Sequence, residues 1–193
     1  VYTNSVLHTM QKYICVSRPR RFGKSTAANM LTAYYSRGCD AGQLFSRFEI
    51  AKNSAFKQYL NQYNTISVNM QEILSRSHSI YELIERFSKL VIRDLKKEYP
   101  DVDYFDDTDV IECMQDGHAF VILIDEWDCI FREYKEDKAA QEKYLDFLRD
   151  VLKDKAYIHL AYMTGILPIK KYGTHSALNM FDEFSMIDPG PLA

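Results

Sequence analysis

The run Ala119-Phe120-Val121-Ile122-Leu123-Ile124 constrains the fold more than any other stretch of the chain. It is wholly apolar and does not alternate. A strand with one wet face alternates between apolar and polar residues. A strand without alternation is covered on both faces, as in parallel sheets with helices above and below. The run ends abruptly in Asp125-Glu126-Trp127-Asp128. In open α/β sheets, ligands bind at the carboxyl ends of the strands. The chain is therefore expected to be an α/β protein with its polar function gathered along one edge of a mostly parallel sheet.

Other segments fit that frame. Residues 13–17, 65–70 and 157–164 read as strands, and Glu183 to Ile187 as a last edge strand. Between them lie helical patterns. From Thr26 the residues Ala27, Met30, Leu31 and Tyr34 recur at helical spacing. A short helix is expected over 53–62. Ile80, Leu83, Ile84, Phe87, Val91 and Leu95 make a long amphipathic helix capped by Ser77 or Ser79, and a further helix covers 139–153. Residues 1–12 lead into the first strand as a helix end. Residues 37–51 read as a loop with a brief helical turn, 101–118 as an acidic connection with one helical turn near Val110 to Met114, and 176–181 as a short helix. No repeat or low-complexity linker divides the 193 residues, which suit one domain over 1–193.

The second constraining stretch is Ser17-Arg18-Pro19-Arg20-Arg21-Phe22-Gly23-Lys24-Ser25, between the first strand and the first helix. Strand, tight loop with Gly-Lys-Ser, then helix is the arrangement that cradles a nucleotide's phosphates. Lys24 would reach the β- and γ-phosphates and the Ser25 hydroxyl would ligate Mg²⁺. The pattern asks for glycine five residues before Gly23, and that position is Arg18. The competing reading is a basic surface turn.

A bound Mg²⁺·nucleotide also needs a carboxylate near Ser25. Asp125, ending a strand buried on both faces, fits the Walker B position. Glu126 would polarise a water as general base. The competing reading is a pair of acids capping a helix. Thr164 ends the next strand, where it would either sense the γ-phosphate or simply terminate the strand. Arg18, Arg20 and Arg21 would touch phosphate, reach a neighbouring subunit as an arginine finger in an oligomer, or stay solvated. Lys170 and Lys171 divide in the same way between a phosphate or nucleic-acid contact and a solvated pair. Trp127 would stack on a base or pack at the sheet edge.

Composition limits the alternatives. Apolar content of 47% and charged content of 26% exclude a disordered chain. A net charge of −3 gives no support to a general nucleic-acid coat. No apolar run approaches the length that crosses a bilayer and no signal peptide is visible, so no membrane partner and a cytoplasmic location are expected. Cys15, Cys39, Cys113 and Cys129 form no C-x-x-C pair, and the acidic segment lacks the glycine and closing glutamate of a calcium loop.

Ser17–Ser25, Ile124-Asp125-Glu126-Trp127-Asp128, Met163-Thr-Gly-Ile-Leu-Pro-Ile-Lys-Lys171 and Tyr172-Gly-Thr-His-Ser-Ala-Leu-Asn179 together resemble the bacterial AAA-ATPase-like family of predicted P-loop ATPases. The resemblance runs from about residue 12 to the end. Arginine at the Arg18 position is usual there. The resemblance implies a three-layer P-loop sandwich of about five strands, of the additional-strand class, with the Thr164 strand between those of Ser17 and Asp125. It implies ATP and Mg²⁺ as cofactors. Arg18, Pro19, Arg20, Arg21, Phe22, Gly23, Lys24, Ser25 and Thr26 would form the nucleotide loop, Ser25 and Asp125 the metal site, and Glu126, Lys24 and Thr164 the catalytic set. Many members carry a C-terminal region resembling PD-(D/E)xK nucleases. This chain ends at Ala193 without one, so a fragment of a longer protein is expected. The functional expectation is an ATPase driving a conformational switch, with a low-turnover regulatory nucleotide module controlling an attached effector as the alternative.

Overall fold

The computed structural model describes residues 11–115, 117–169, 177–186 and 188. In chain order it contains β1 (Tyr13–Ser17), α1 (Lys24–Tyr35), α2 (Gly42–Phe45), a short 3-10 helix (Glu49–Lys52), α3 (Phe56–Tyr59), β2 (Asn64–Asn69) and α4 (Met70–Leu74). Then come α5 (Ile80–Glu98), α6 (Val110–Met114), β3 (Phe120–Asp125), α7 (Cys129–Glu133), α8 (Lys138–Leu152), β4 (Ile158–Gly165) and β5 (Asp182–Phe184). The expectations for Lys170, Lys171, Ile187, residues 1–10 and most of the Tyr172–Asn179 stretch lie outside the described residues.

The sheet has five strands in the order β2-β3-β4-β1-β5, and every neighbouring pair is parallel. The strand carrying Thr164 thus lies between those carrying Ser17 and Asp125. This is the α/β sandwich expected of a P-loop protein.

The unalternated run in β3 has the cause inferred for it. Phe120, Ile122 and Ile124 enter one core, with Leu83, Phe87 and Val91 of α5 and Tyr144, Leu148 and Leu152 of α8. Val121 and Leu123 enter the other, with Ala28, Tyr34 and Tyr35 of α1 and Phe45 of α2. Phe120 to Ile124 are each at most 3% exposed, so successive side chains meet apolar surface whichever way they point.

Several boundaries differ from the sequence expectation. The first helix begins at Lys24 rather than Thr26. The second strand spans Asn64–Asn69, because the Asn69 side chain accepts from the Glu72 amide at 3.1 Å and starts α4 at Met70. The helix expected over 53–62 contracts to Phe56–Tyr59. Asn61 stops it: its backbone is left-handed at φ 55° and its amide nitrogen donates to the carbonyls of Ala33 and Ser36, both at 2.8 Å. The final strand is Asp182–Phe184, paired with β1. Among the described residues no helix is long and apolar enough to cross a membrane.

Register decides which residues share the carboxyl edge. Val16 opposes Thr164, Ser17 opposes Gly165, and Asn69 opposes Asp125. Residues distant in sequence are thereby brought to one rim.

Candidate functional site

The Ser17–Ser25 loop leaves β1 while still tied to β4. The Arg18 amide donates to the Gly165 carbonyl at 3.0 Å, continuing the ladder by one bond. The turn then comes at two left-handed residues, Arg21 at φ 68° and Gly23 at φ 74°. Glycine adopts that conformation without the Cβ penalty, and a residue such as arginine rarely does. A Cβ at Gly23 would meet nothing within 4 Å, so backbone freedom, not space, calls for glycine there. Lys24 opens α1 and is 7% exposed, with Nζ donating to the Pro19 carbonyl at 3.0 Å. The Ala27 amide donates to the Gly23 carbonyl at 2.9 Å as the first intrahelical bond. The amides of Lys24, Ser25 and Thr26 precede it, at the end of the helix that carries partial positive charge.

Across the rim, the strand ends are cross-braced. Asp125 is 7% exposed, and its Oδ1 accepts from the Thr164 hydroxyl and from the Glu126 amide. Glu126 is left-handed at φ 55°. The Trp127 amide donates to the Thr164 carbonyl at 3.1 Å. Trp127 is wholly buried, lies edge-on to Phe131 and accepts at its carbonyl from the Tyr144 hydroxyl at 2.7 Å, so it packs rather than offers a face to a base. Asp128 is also wholly buried. Its Oδ2 accepts from the amides of Ile166 at 3.1 Å and Leu167 at 3.0 Å. It precedes α7 without capping it. The helix-capping alternative for Asp125 and Glu126 therefore does not describe these acids.

An open cleft of about 910 Å³ lies between the loop and the end of β3. Arg20, Arg21, Gly23, Lys24, Ser25 and Thr26 form one wall. Asn69, Gln71, Glu72 and Ser75 from β2 and α4 form a second, and Glu126, Arg132 and Glu133 a third. Arg18, Pro19 and Phe22 stand outside these walls. The Arg18 guanidinium instead donates to the Met186 Sδ at 2.9 Å, and Phe22 is 59% exposed. Asp125 and Thr164 are not among the residues that line the cleft. A larger groove, about 1070 Å³, follows the open edge of β2 beside α5 and includes none of the loop residues.

Two cleft residues of consequence carry no sequence signal. Arg132 sits six positions after Glu126 on α7, a helix of five residues, too short for periodicity to reveal its faces. Its Nη2 meets Glu126 Oε2 at 2.5 Å and Gln71 Oε1 at 3.1 Å, and its Nε lies 3.6 Å from Asp128 Oδ2. Gln71 belongs to α4, which starts where the strand was expected to continue.

Residues 2–174 match the model of the AAA-ATPase-like family, described as predicted AAA-ATPases. The chain belongs to that family. As an AAA-ATPase-like protein it has support for nucleotide binding in general, and the sandwich and strand order above agree with that membership. No curated protein matches the chain.

Among the described residues of this AAA-ATPase-like chain, no group of three or more His, Cys, Asp or Glu side chains stands ready to hold a metal ion. The donors at the rim are a hydroxyl, Ser25, and a carboxylate, Asp125. These hard oxygen ligands suit Mg²⁺, which keeps several waters and takes further ligands from substrate phosphates rather than from an all-protein cage.

Proposed function

We propose that the cleft binds ATP with Mg²⁺ and that the protein hydrolyses it to drive a conformational switch. The observation that carries this reading is the cleft itself: Lys24, Ser25 and Thr26 at the first turn of α1 face Glu126 across one open space. Phosphate oxygens would accept from the first-turn amides, and Lys24 would exchange the Pro19 carbonyl for the β- and γ-phosphates. Ser25 and Asp125 would hold Mg²⁺, whose charge offsets that of the phosphates. Thr164, hydrogen-bonded to Asp125, would keep that carboxylate aimed and respond to whatever Asp125 binds. Glu126 would orient the attacking water and accept its proton. Arg20 and Arg21 would rim the phosphates. The choice of ATP over another triphosphate rests on the family.

Nucleotide binding and phosphate release by the purified protein test this directly. Lys24→Ala should abolish binding. Glu126→Gln should retain binding and lose turnover by about 10²- to 10⁴-fold. Equal turnover by Glu126→Gln and the unaltered protein would remove the role given to Glu126. A second reading is a regulatory nucleotide module with little turnover. It is favoured by one observation: the Glu126 carboxylate is already engaged by Arg132. That reading expects thermal stabilisation by ATP, lost in Lys24→Ala, with no phosphate released.

A further inference from the structure

We propose that Arg132 is a partner-exchanging residue that distinguishes triphosphate from diphosphate: it holds Glu126 while the cleft is empty and moves to the γ-phosphate when ATP arrives. The inference rests on the nucleotide reading of the cleft, and it explains how a general base already tied up becomes available.

Three features of Arg132 support it. First, the guanidinium stands in the wall of the cleft that holds Lys24 and Ser25, so an incoming phosphate meets it without passing through protein. Second, its pairing with Glu126 is close but open to competition. Arg132 and Glu126 side chains are 17% and 20% exposed, and a phosphate can take the same planar N–H groups as a carboxylate. Third, the guanidinium has donors to spare. Its Nε is buried without a hydrogen-bond partner, since Asp128 Oδ2 at 3.6 Å is beyond hydrogen-bond reach. A buried donor left unpaired is costly, and a small rotation toward a richer acceptor would satisfy it.

The exchange also frees what it must. Glu126 Oε2 now accepts from Arg132. Glu126 has its backbone fixed in the left-handed region, with its amide bonded to Asp125. Losing Arg132 would release Oε2 and leave both carboxylate oxygens open to a water. Asp128 can hold the stem of α7 meanwhile, because its Oδ2 is anchored by the Ile166 and Leu167 amides. A diphosphate, lacking the γ group, leaves the Arg132–Glu126 pair intact.

The test is a double-substitution cycle read by binding alone, with ADP and a non-hydrolysable ATP analogue. Arg132→Gln should weaken the ATP analogue by about ten- to a hundredfold and leave ADP within about twofold, the size expected for one charge-assisted phosphate contact. Glu126→Gln should strengthen the ATP analogue about tenfold, because the phosphate no longer competes with a carboxylate. That gain should vanish when Arg132→Gln is present. Arg132→Lys, which keeps the charge and loses the planar fork, should fall between, and guards against a variant that misfolds. Equal weakening of both nucleotides, or a Glu126→Gln gain that survives Arg132→Gln, overturns the exchange while leaving the nucleotide site standing. Failure of the unaltered protein to bind either nucleotide overturns both.

Discussion

Gly165 ends β4 under the indole of Trp127. A Cβ built there would stand 2.6 Å from Trp127 Nε1 and 2.8 Å from Asp128 Oδ1. Both neighbours are wholly buried and cannot retreat. Gly165→Ala should therefore destabilise the protein by about 1–3 kcal/mol, the usual cost of overpacking, visible as a lower melting temperature. An unchanged melting temperature would mean that Trp127 can yield. The four cysteines give a second residue-level expectation. Cys15, Cys113 and Cys129 are buried and Cys39 is exposed. Burial pushes the Cys129 thiol up to about 12 and raises that of Cys15 as well. A thiol reagent should label Cys39 quickly under native conditions, and the other three only on unfolding. Rapid labelling of more than one would contradict the packing. At this scale the sequence was legible where chemistry is carried by residue type and position. Gly23, Lys24, Ser25 and Glu126 do share a cleft. It was not legible where a side chain's partner lies far away in the chain. Nothing in the pattern around Asp128 says that it braces Ile166 and Leu167.

At the scale of elements, length and pattern decide what can be read. α5 spans nineteen residues, Ile80–Glu98, and its apolar positions recur over five turns. Its start is set by Ser79, whose hydroxyl accepts from the Glu82 amide at 3.2 Å. Ser79→Ala should cost about 1 kcal/mol, as for other lost N-caps, measured by denaturant unfolding. Ser77 is not the cap. Its hydroxyl donates to the Ile73 carbonyl at 2.9 Å, and its loss should be felt less. The His78 amide, with help from Arg86, holds the Glu82 carboxyl below its usual 4.5. A depressed carboxyl contributes stability that is present above its unfolded value and is lost as pH falls through the folded one. The start of α5 should thus loosen in acid, and Glu82→Gln should reduce that acid sensitivity. The five-residue elements α4 and α7 give no comparable signal. α4 follows β2 directly and α7 follows β3 after three intervening residues, and each ends within about one and a half turns, so a period of 3.6 has no room to show. These two helices carry Gln71, Glu72, Arg132 and Glu133 into the cleft. The least legible elements are therefore the ones that complete the site.

For the whole molecule, one sheet covered on both faces converts a parallel strand order into a single functional edge. The order β2-β3-β4-β1-β5 brings the ends of β1, β3 and β4 together, and α1, α4 and α7, which help to bury the sheet, present their ends to the same edge. That polar residues gather on one edge of a parallel sheet followed from the apolar run in β3 and the strand–loop–helix around Gly23, whereas the place of β4 between β1 and β3 followed from the family resemblance. Register between strands did not, since it is fixed by packing across the sheet rather than by any one strand. Ligand that binds only the folded state raises its stability by mass action. Saturating ATP with Mg²⁺ should therefore raise the melting temperature by several degrees. The rise should be absent in Lys24→Ala, and its absence in the unaltered protein would count against the nucleotide reading.

Trp127 gives that edge an optical consequence. It is the only tryptophan in the chain, and it lies between Glu126 and Asp128, sealed from solvent, with its amide on Thr164 and its carbonyl on Tyr144. The protein's tryptophan emission therefore comes from this one buried indole beside the end of β3. A rearrangement confined to the Asp125–Asp128 segment should change tryptophan intensity or colour without any label. One confined to α2, α3 or the outer face of α5 should be dark.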